Sequence, residues 1–210
     1  MQQGNFGADL WEILDGGETI IYRRAGTAEE RRIEGAFRRP AKASASTSAD
    51  PRCAADLFWH VPTQPGWYPS PGDHIISSEG RRWTVLKAEL LAGQNRWRLT
   101  TRDLVAAYGL RRHLTVETLL PYKRPDGTPA GRWQVWKSGI RAAVQRWEAH
   151  PAKNHRPSYE RRYRIVLEEC PPTDTRLRLR TPSGKILTVL SVQPPSRADE
   201  LTAVEAVELD

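Results

Sequence analysis

The sequence is short of the residues that build chemistry. Its two cysteines, Cys53 and Cys170, are far apart, with no metal-ligand spacing and no disulfide framework, so both are expected to stay reduced in a cytoplasm. The five histidines, at 60, 74, 113, 150 and 155, include no pair spaced like helix-borne metal ligands. There is no glycine loop to cradle a phosphate and no nucleophile elbow. Glu168 and Glu169 are adjacent, but neighbouring strand residues face opposite ways and would not share a site. His150 and His155 lie in a stretch with Glu148 and Glu160, which reads as an ordinary polar loop by the usual ligand spacings. No run approaches the ~18 apolar residues of a membrane span. The opening Met1-Gln2-Gln3-Gly4 has neither the basic nor the apolar region of a secretory signal. No enzyme, cofactor, metal or membrane partner is expected.

What is present is a repeat. Gly80-Arg81-Arg82-Trp83-Thr84-Val85-Leu86 returns as Gly184-Lys185-Ile186-Leu187-Thr188-Val189-Leu190. Each copy reads as a turn whose glycine supplies a positive φ, followed by a strand rich in β-branched residues. Each follows a segment opened by an aspartate, Asp73-His74-Ile75-Ile76 or Asp174-Thr175-Arg176-Leu177. Two such heptads at matching places in halves of similar length indicate a duplicated module.

Taken in order, the chain alternates short strands with turns. Strands are expected at 18–24, 32–38, 56–61, in the repeated hairpin and at 95–101, with one helical turn at 105–108. The second half repeats this at 113–119, 133–147, 163–168, in its own hairpin and at 201–209, with turns at Pro121 and at Pro125-Asp126-Gly127. Trp136, Ile140, Ala143, Val144 and Trp147 also fit helical spacing, but their place in the repeat favours strand. Long polar loops fill 41–55 and 148–162, and loops of that length in compact domains tend to carry function. The fold class is all-β, with two tandem small SH3-like β-barrel modules, 10–104 and 113–209, joined by a linker at 105–112. Trp83, Trp97, Trp133 and Trp136 are expected to fill the barrel cores.

The formal net charge is +7, and it is unevenly placed. Residues 1–110 hold 14 Lys/Arg against 13 Asp/Glu, and residues 111–210 hold 18 against 12, so the second half carries +6 of the excess. A basic surface of this kind reads equally as a face toward nucleic acid or an acidic protein and as a solvated face with no partner.

The order strand, Arg132-Trp133-Gln134-Val135-Trp136, an Ile-Arg-Ala strand, a long polar loop, Arg162-Tyr163-Arg164-Ile165 and a terminal Gly-x-x-x-Thr-Val-Leu hairpin resembles the head-completion proteins of tailed phages. These are the head–tail joining, stopper or head-closure connectors. Thr19–Arg24, Ile33–Phe37, the loop after them, Gly72–Ile75 and Gly80–Leu86 look similar in the first half. Family members are typically one module, so a tandem pair departs from the pattern. The resemblance implies a ring, hexameric in the simplest arrangement, between a portal or adaptor protein and a tail terminator or tail tube protein. It implies localisation in the virion neck after assembly in the bacterial host cytoplasm. It also implies that the long loop of each barrel faces packaged double-stranded DNA in the channel. By position Lys153, His155, Arg156, Arg161 and Arg162 would contact that DNA without reading its sequence. The alternative is a tandem small-barrel nucleic-acid-binding module. An exposed edge strand on each barrel would offer the pairing surface for neighbours.

Overall fold

A computed structural model describes residues 17–40, 56–93, 95–147 and 161–208. The chain divides into two compact units, 1–107 with 197–199 and 108–196 with 200–210. Unit 1 holds β1 (Glu18–Arg23), β2 (Glu30–Pro40), β3 (Asp56–Pro62), β4 (His74–Ile76), β5 (Arg82–Leu91) and β6 (Arg96–Arg102), then the short helix α1 (Leu104–Ala107). Unit 2 holds β7 (Arg112–Lys123), β8 (Pro129–Trp147), β9 (Arg161–Leu167), β10 (Leu177–Arg180), β11 (Ile186–Gln193) and β12 (Thr202–Glu208). Both are closed antiparallel barrels with the same connectivity. The order is β1-β2-β3-β6-β5-β4 in one and β7-β8-β9-β12-β11-β10 in the other. The all-β reading as two tandem small barrels therefore holds.

The repeated heptad forms the same hairpin twice. Gly80 and Gly184 have φ of 75° and 84°, and each amide donates back across its turn, to Ser77 O and to Thr181 O, both at 2.9 Å. Thr84 pairs with His74 and Trp83 with Ile75. Thr188 pairs with Arg178 and Leu187 with Leu179. A bulge then falls between Val85 and Lys87 in one copy and between Val189 and Ser191 in the other, so Leu86 and Leu190 are the extra residues. A bulge sharpens strand twist and helps a small sheet curl shut. Asp174 is not the counterpart of Asp73, because these registers match His74 with Arg178 and so Asp73 with Leu177.

Strand alternation then fixes the two cores. Unit 1 buries Ile20, Tyr22, Ile33, Trp59, Val61, Trp67, Ile75, Trp83, Val85 and Leu99. Unit 2 buries Leu114, Val116, Ile140, Ala142, Ile165, Leu167, Leu179, Leu187 and Val204. The pairings equate Ile20 with Leu114, Trp59 with Ile165, Val61 with Leu167 and Trp83 with Leu187. Unit 2 is thus the same barrel lined with smaller side chains. Ile140 and Ala142 alternate into its core along β8, which is why strand prevails there over the helical spacing. Gly139, at φ 74°, takes up the irregular register.

Three expectations are corrected. Pro121 is not in a turn: β7 runs on to Lys123 and pairs there with β8. Trp133 and Trp136 are outside the core, half-buried and exposed respectively, because that stretch of β8 pairs with β7 and never closes onto the barrel. The buried indoles are instead Trp59, Trp67 and Trp83, with Trp97 packed partly against them. Neither barrel presents an edge strand, since β4 pairs with β1 and β10 with β7.

Unit 1 also buries a polar staple. The Asp73 carboxylate accepts from the Tyr22 hydroxyl and from the amides of Ala25 and Ser70, both at 2.8 Å. Burial and this hydrogen bond push the Tyr22 phenol above its ordinary range. His74 beside it is held neutral: burial, then the Arg82 charge, lower its pKa to about 4.

Two predictions follow from this packing. Between pH 6.5 and about 4 the unfolded chain binds a proton at His74 that the folded barrel refuses, so stability should fall as pH drops through that window. Urea titrations at pH 7 and pH 4.5 check this, and the His74→Gln variant should lose that part of the pH dependence. Gly184→Ala forces a Cβ onto a left-handed turn with open space around it. It should therefore cost about 1–2 kcal/mol through backbone strain alone, read as a lowered urea midpoint.

Candidate functional site

Five of the arginines and lysines of unit 2, with one histidine, gather at one end of its barrel. Arg111, Arg112 and His113 enter β7 there, Lys185 follows the Gly184 turn, and Arg161 and Arg162 open β9. All six are exposed. Of the residues expected to contact DNA, Arg161 and Arg162 therefore belong to this end, whereas Lys153, His155 and Arg156 lie outside the described residues. Glu208, at the close of β12, gathers part of the positive charge. Its carboxylate accepts from Lys185 Nζ at 2.7 Å and from the Tyr163 hydroxyl at 2.6 Å, with Arg161 at 3.8 Å. Donation from Lys185, then from Tyr163, holds the Glu208 carboxyl below its usual range. The same bond raises the Tyr163 phenol.

Between these groups is a cleft of about 580 Å³. Leu114, Val144, Tyr163 and Leu187 form its apolar lining, and Arg111, Arg112, His113, Ser183 and Lys185 its rim. At the corresponding end of unit 1 larger side chains occupy the matching positions, residue by residue. Trp83 fills the position of Leu187 and packs edge-on against Trp59 at 5.5 Å between ring centroids. The guanidinium of Arg38, in the position of Val144, caps both rings at 5.8 and 5.5 Å. Glu18 and Glu79 hold that cap, each at 3.4 Å. In unit 2 their places are taken by Arg112 and Ser183, so the clamp is gone and its charge is reversed. What both units keep is the bridge from the turn cation to the end of the last strand: Arg81 to Asp103 at 2.8 Å and Lys185 to Glu208 at 2.7 Å.

A second feature is the long β7–β8 hairpin. β7 pairs with β10 only at Thr115–Thr118, and β8 pairs with β9 only from Ala142 onward. Beyond those points the two strands pair with each other as far as Lys123 and Pro129. Leu120, Tyr122 and Trp136 are exposed on one face of this arm and Val135 on the other. Its base is fixed by Glu117, a buried carboxylate that accepts from Arg178 and from Arg180 Nη2 at 2.9 Å. Arg178 in turn stacks on Trp133 at 4.5 Å. Burial pushes the Glu117 carboxyl up, but the two arginines outweigh it and hold it below its ordinary value.

Neither the cleft nor the arm was predicted from the sequence. The signal for the cleft was visible in the repeat itself, where Trp83 answers to Leu187. The signal for the arm was the run of apolar residues on both sides of Pro125-Asp126-Gly127. Among the described residues no group of three or more His, Cys, Asp or Glu is placed to hold a metal ion. Among the described residues no helix is long and apolar enough to cross a membrane.

No family model and no curated protein matches the chain. A solved structure of the Bacillus subtilis inhibitor of motility (MotI/DgrA) aligns over 94% of this chain and 89% of its own, at 11% identity and a TM-score of 0.21. No shared fold follows from a likeness at that level.

Replacing Glu208 with Gln removes the charge that holds the Tyr163 proton. The ionisation of Tyr163, followed by NMR of its ring carbons, should move to lower pH in E208Q, while the other tyrosines keep their titration.

Proposed function

We propose that the chain is a structural head-to-tail connector of a tailed phage or phage-like particle, a stopper- or adaptor-type neck protein. In this role it forms a homo-oligomeric ring between the portal assembly and the tail, and lines or closes the DNA channel. The observation that carries the reading is the β7–β8 arm. A closed barrel has no edge to offer a neighbour, yet this arm extends two strands that lack further strand partners among the described residues and exposes apolar side chains on both faces. Backbone edges of that kind add strands to, or accept strands from, a second copy, and repetition around an axis closes a ring. The sequence resemblance supports the same role, as does a unit that concentrates positive charge at one barrel end. Packaged DNA needs only phosphate contacts that add across copies, with no reading of bases.

The basic end also favours a second reading, a monomeric tandem-barrel module that binds nucleic acid. The two separate in one experiment. The purified chain, alone or with portal assemblies, should form rings visible by electron microscopy, and Val135→Asp with Trp136→Asp should abolish them without lowering the melting temperature. A chain that stays monomeric under all these conditions but binds DNA with steep salt dependence contradicts the connector. In filled heads, changing Lys153, Arg156, Arg161 and Arg162 to Ser should leave assembly intact, since exposed charges contribute little to stability, but let DNA escape. Heads that retain their genome as the parent does would refute the channel contact.

A further inference from the structure

The end of unit 2 is the end of unit 1 with its plug and clamp removed. In unit 1 the chain supplies its own occupant: the Trp83 indole, packed on Trp59, under the Arg38 guanidinium and beside Glu18 and Glu79. In unit 2 the ring becomes Leu187, the second ring Ile165, the cap Val144, and the two carboxylates Arg112 and Ser183. The walls that remain are apolar, and the preserved Lys185–Glu208 bridge keeps the rim in place. A concave apolar site with a few convergent polar groups is what ligands select.

Charge identifies the occupant. The mouth of unit 1 carries Glu18, Glu79 and Asp103 against Arg38 and Arg81. Among the described residues the mouth of unit 2 carries Arg111, Arg112, Lys185 and His113 against Glu208, and Glu208 is already bonded to Lys185 and Tyr163. The rim is exposed and the apolar floor of Leu114 and Leu187, 2% exposed each, lies behind it, so a ring seated on that floor keeps its acidic neighbours at the charged rim. We infer that this cleft is a docking site for an acidic segment of another protein that inserts an aromatic side chain where unit 1 uses its own tryptophan. The ring seats against Leu114, Val144 and Leu187. Flanking carboxylates pair with Arg111, Arg112 and Lys185, where charge-assisted bonds are strongest. The inference rests on the comparison of the two barrels and stands apart from the ring: a chain that never forms rings can still hold such a segment.

The test uses the full chain and a blocked Asp-Trp-Asp peptide, with Asp-Ala-Asp, Lys-Trp-Lys and free indole-3-acetate as comparison probes. Methyl NMR should show saturable shifts at Leu114, Val144 and Leu187 with Asp-Trp-Asp, while the other two peptides bind at least about tenfold more weakly. Arg111→Ala with Arg112→Ala should weaken Asp-Trp-Asp and leave Lys-Trp-Lys unchanged. Val144→Arg with Leu187→Trp rebuilds the plug of unit 1 and should abolish the shifts elsewhere in the cleft. If that pair does not fold, Val144→Arg alone should weaken binding at least about tenfold. Unaltered binding in a folded plugged variant, or no saturable shift in the parent, overturns the inference. Indole-3-acetate binding as tightly as the peptide also overturns it, in favour of a small aromatic acid.

Discussion

Each barrel closes through one short strand, β4 laid on β1 and β10 laid on β7, and everything else depends on that closure. Once a six-stranded sheet is shut, the number of inward positions is set, and side-chain alternation leaves no freedom over which residues occupy them. The glycine turn and the bulge behind it make the closure possible in both units. The turn brings β4 and β5, or β10 and β11, into register, and the extra residue at Leu86 or Leu190 bends the long strand. The interior then becomes a matter of volume. Trp59, Trp67 and Trp83 fill unit 1, whereas unit 2 meets the same frame with Ile165 and Leu187 and does not fill its end.

The two units share one strand order and differ in what they place on it. The frame is shared down to hydrogen bonds in the turns and to the bridge between turn cation and last strand. Besides the Tyr22–Asp73 staple and the larger core side chains of unit 1, the differences sit at two places, the barrel end and the β7–β8 arm. Unit 1 spends its aromatic residues and its arginines on closing itself. Unit 2 leaves one end open and basic and extends a hairpin that its own barrel does not cover. Both features expose surface that costs stability unless something covers it.

Much of this was legible in the sequence. The strand pattern and the matched hairpins could be read because they rest on local signals: glycines that need positive φ, and period-two alternation in Arg96–Thr101, whereas in Ile33–Phe37 the alternation breaks at Gly35, φ 68°, and Ala36 takes the inward place expected of Phe37. The misreadings have a common cause in pairing between distant segments. Trp133 and Trp136 alternate as core residues do, but β8 runs past the barrel, so alternation there marks a face and not an interior. Asp174 resembles Asp73 by its place before a hairpin, and only the register of β10 on β7 shows that Leu177 holds that position. Arg161 and Arg162 were chosen for their loop, yet the carboxylate that meets Arg161, Glu208, comes from the last strand of the unit. Arg38 as a cap could not be foreseen, because nothing local ties it to Trp83.

The central claim is that the first barrel plugs its own end and the second leaves that end for another molecule. Intermolecular NOEs from free indole to the two ends test it most directly. The account predicts NOEs to the methyl groups of Leu114, Val144 and Leu187 and none to Ile20 or to the ring of Trp83. NOEs of equal strength at both ends, or at neither, would contradict it.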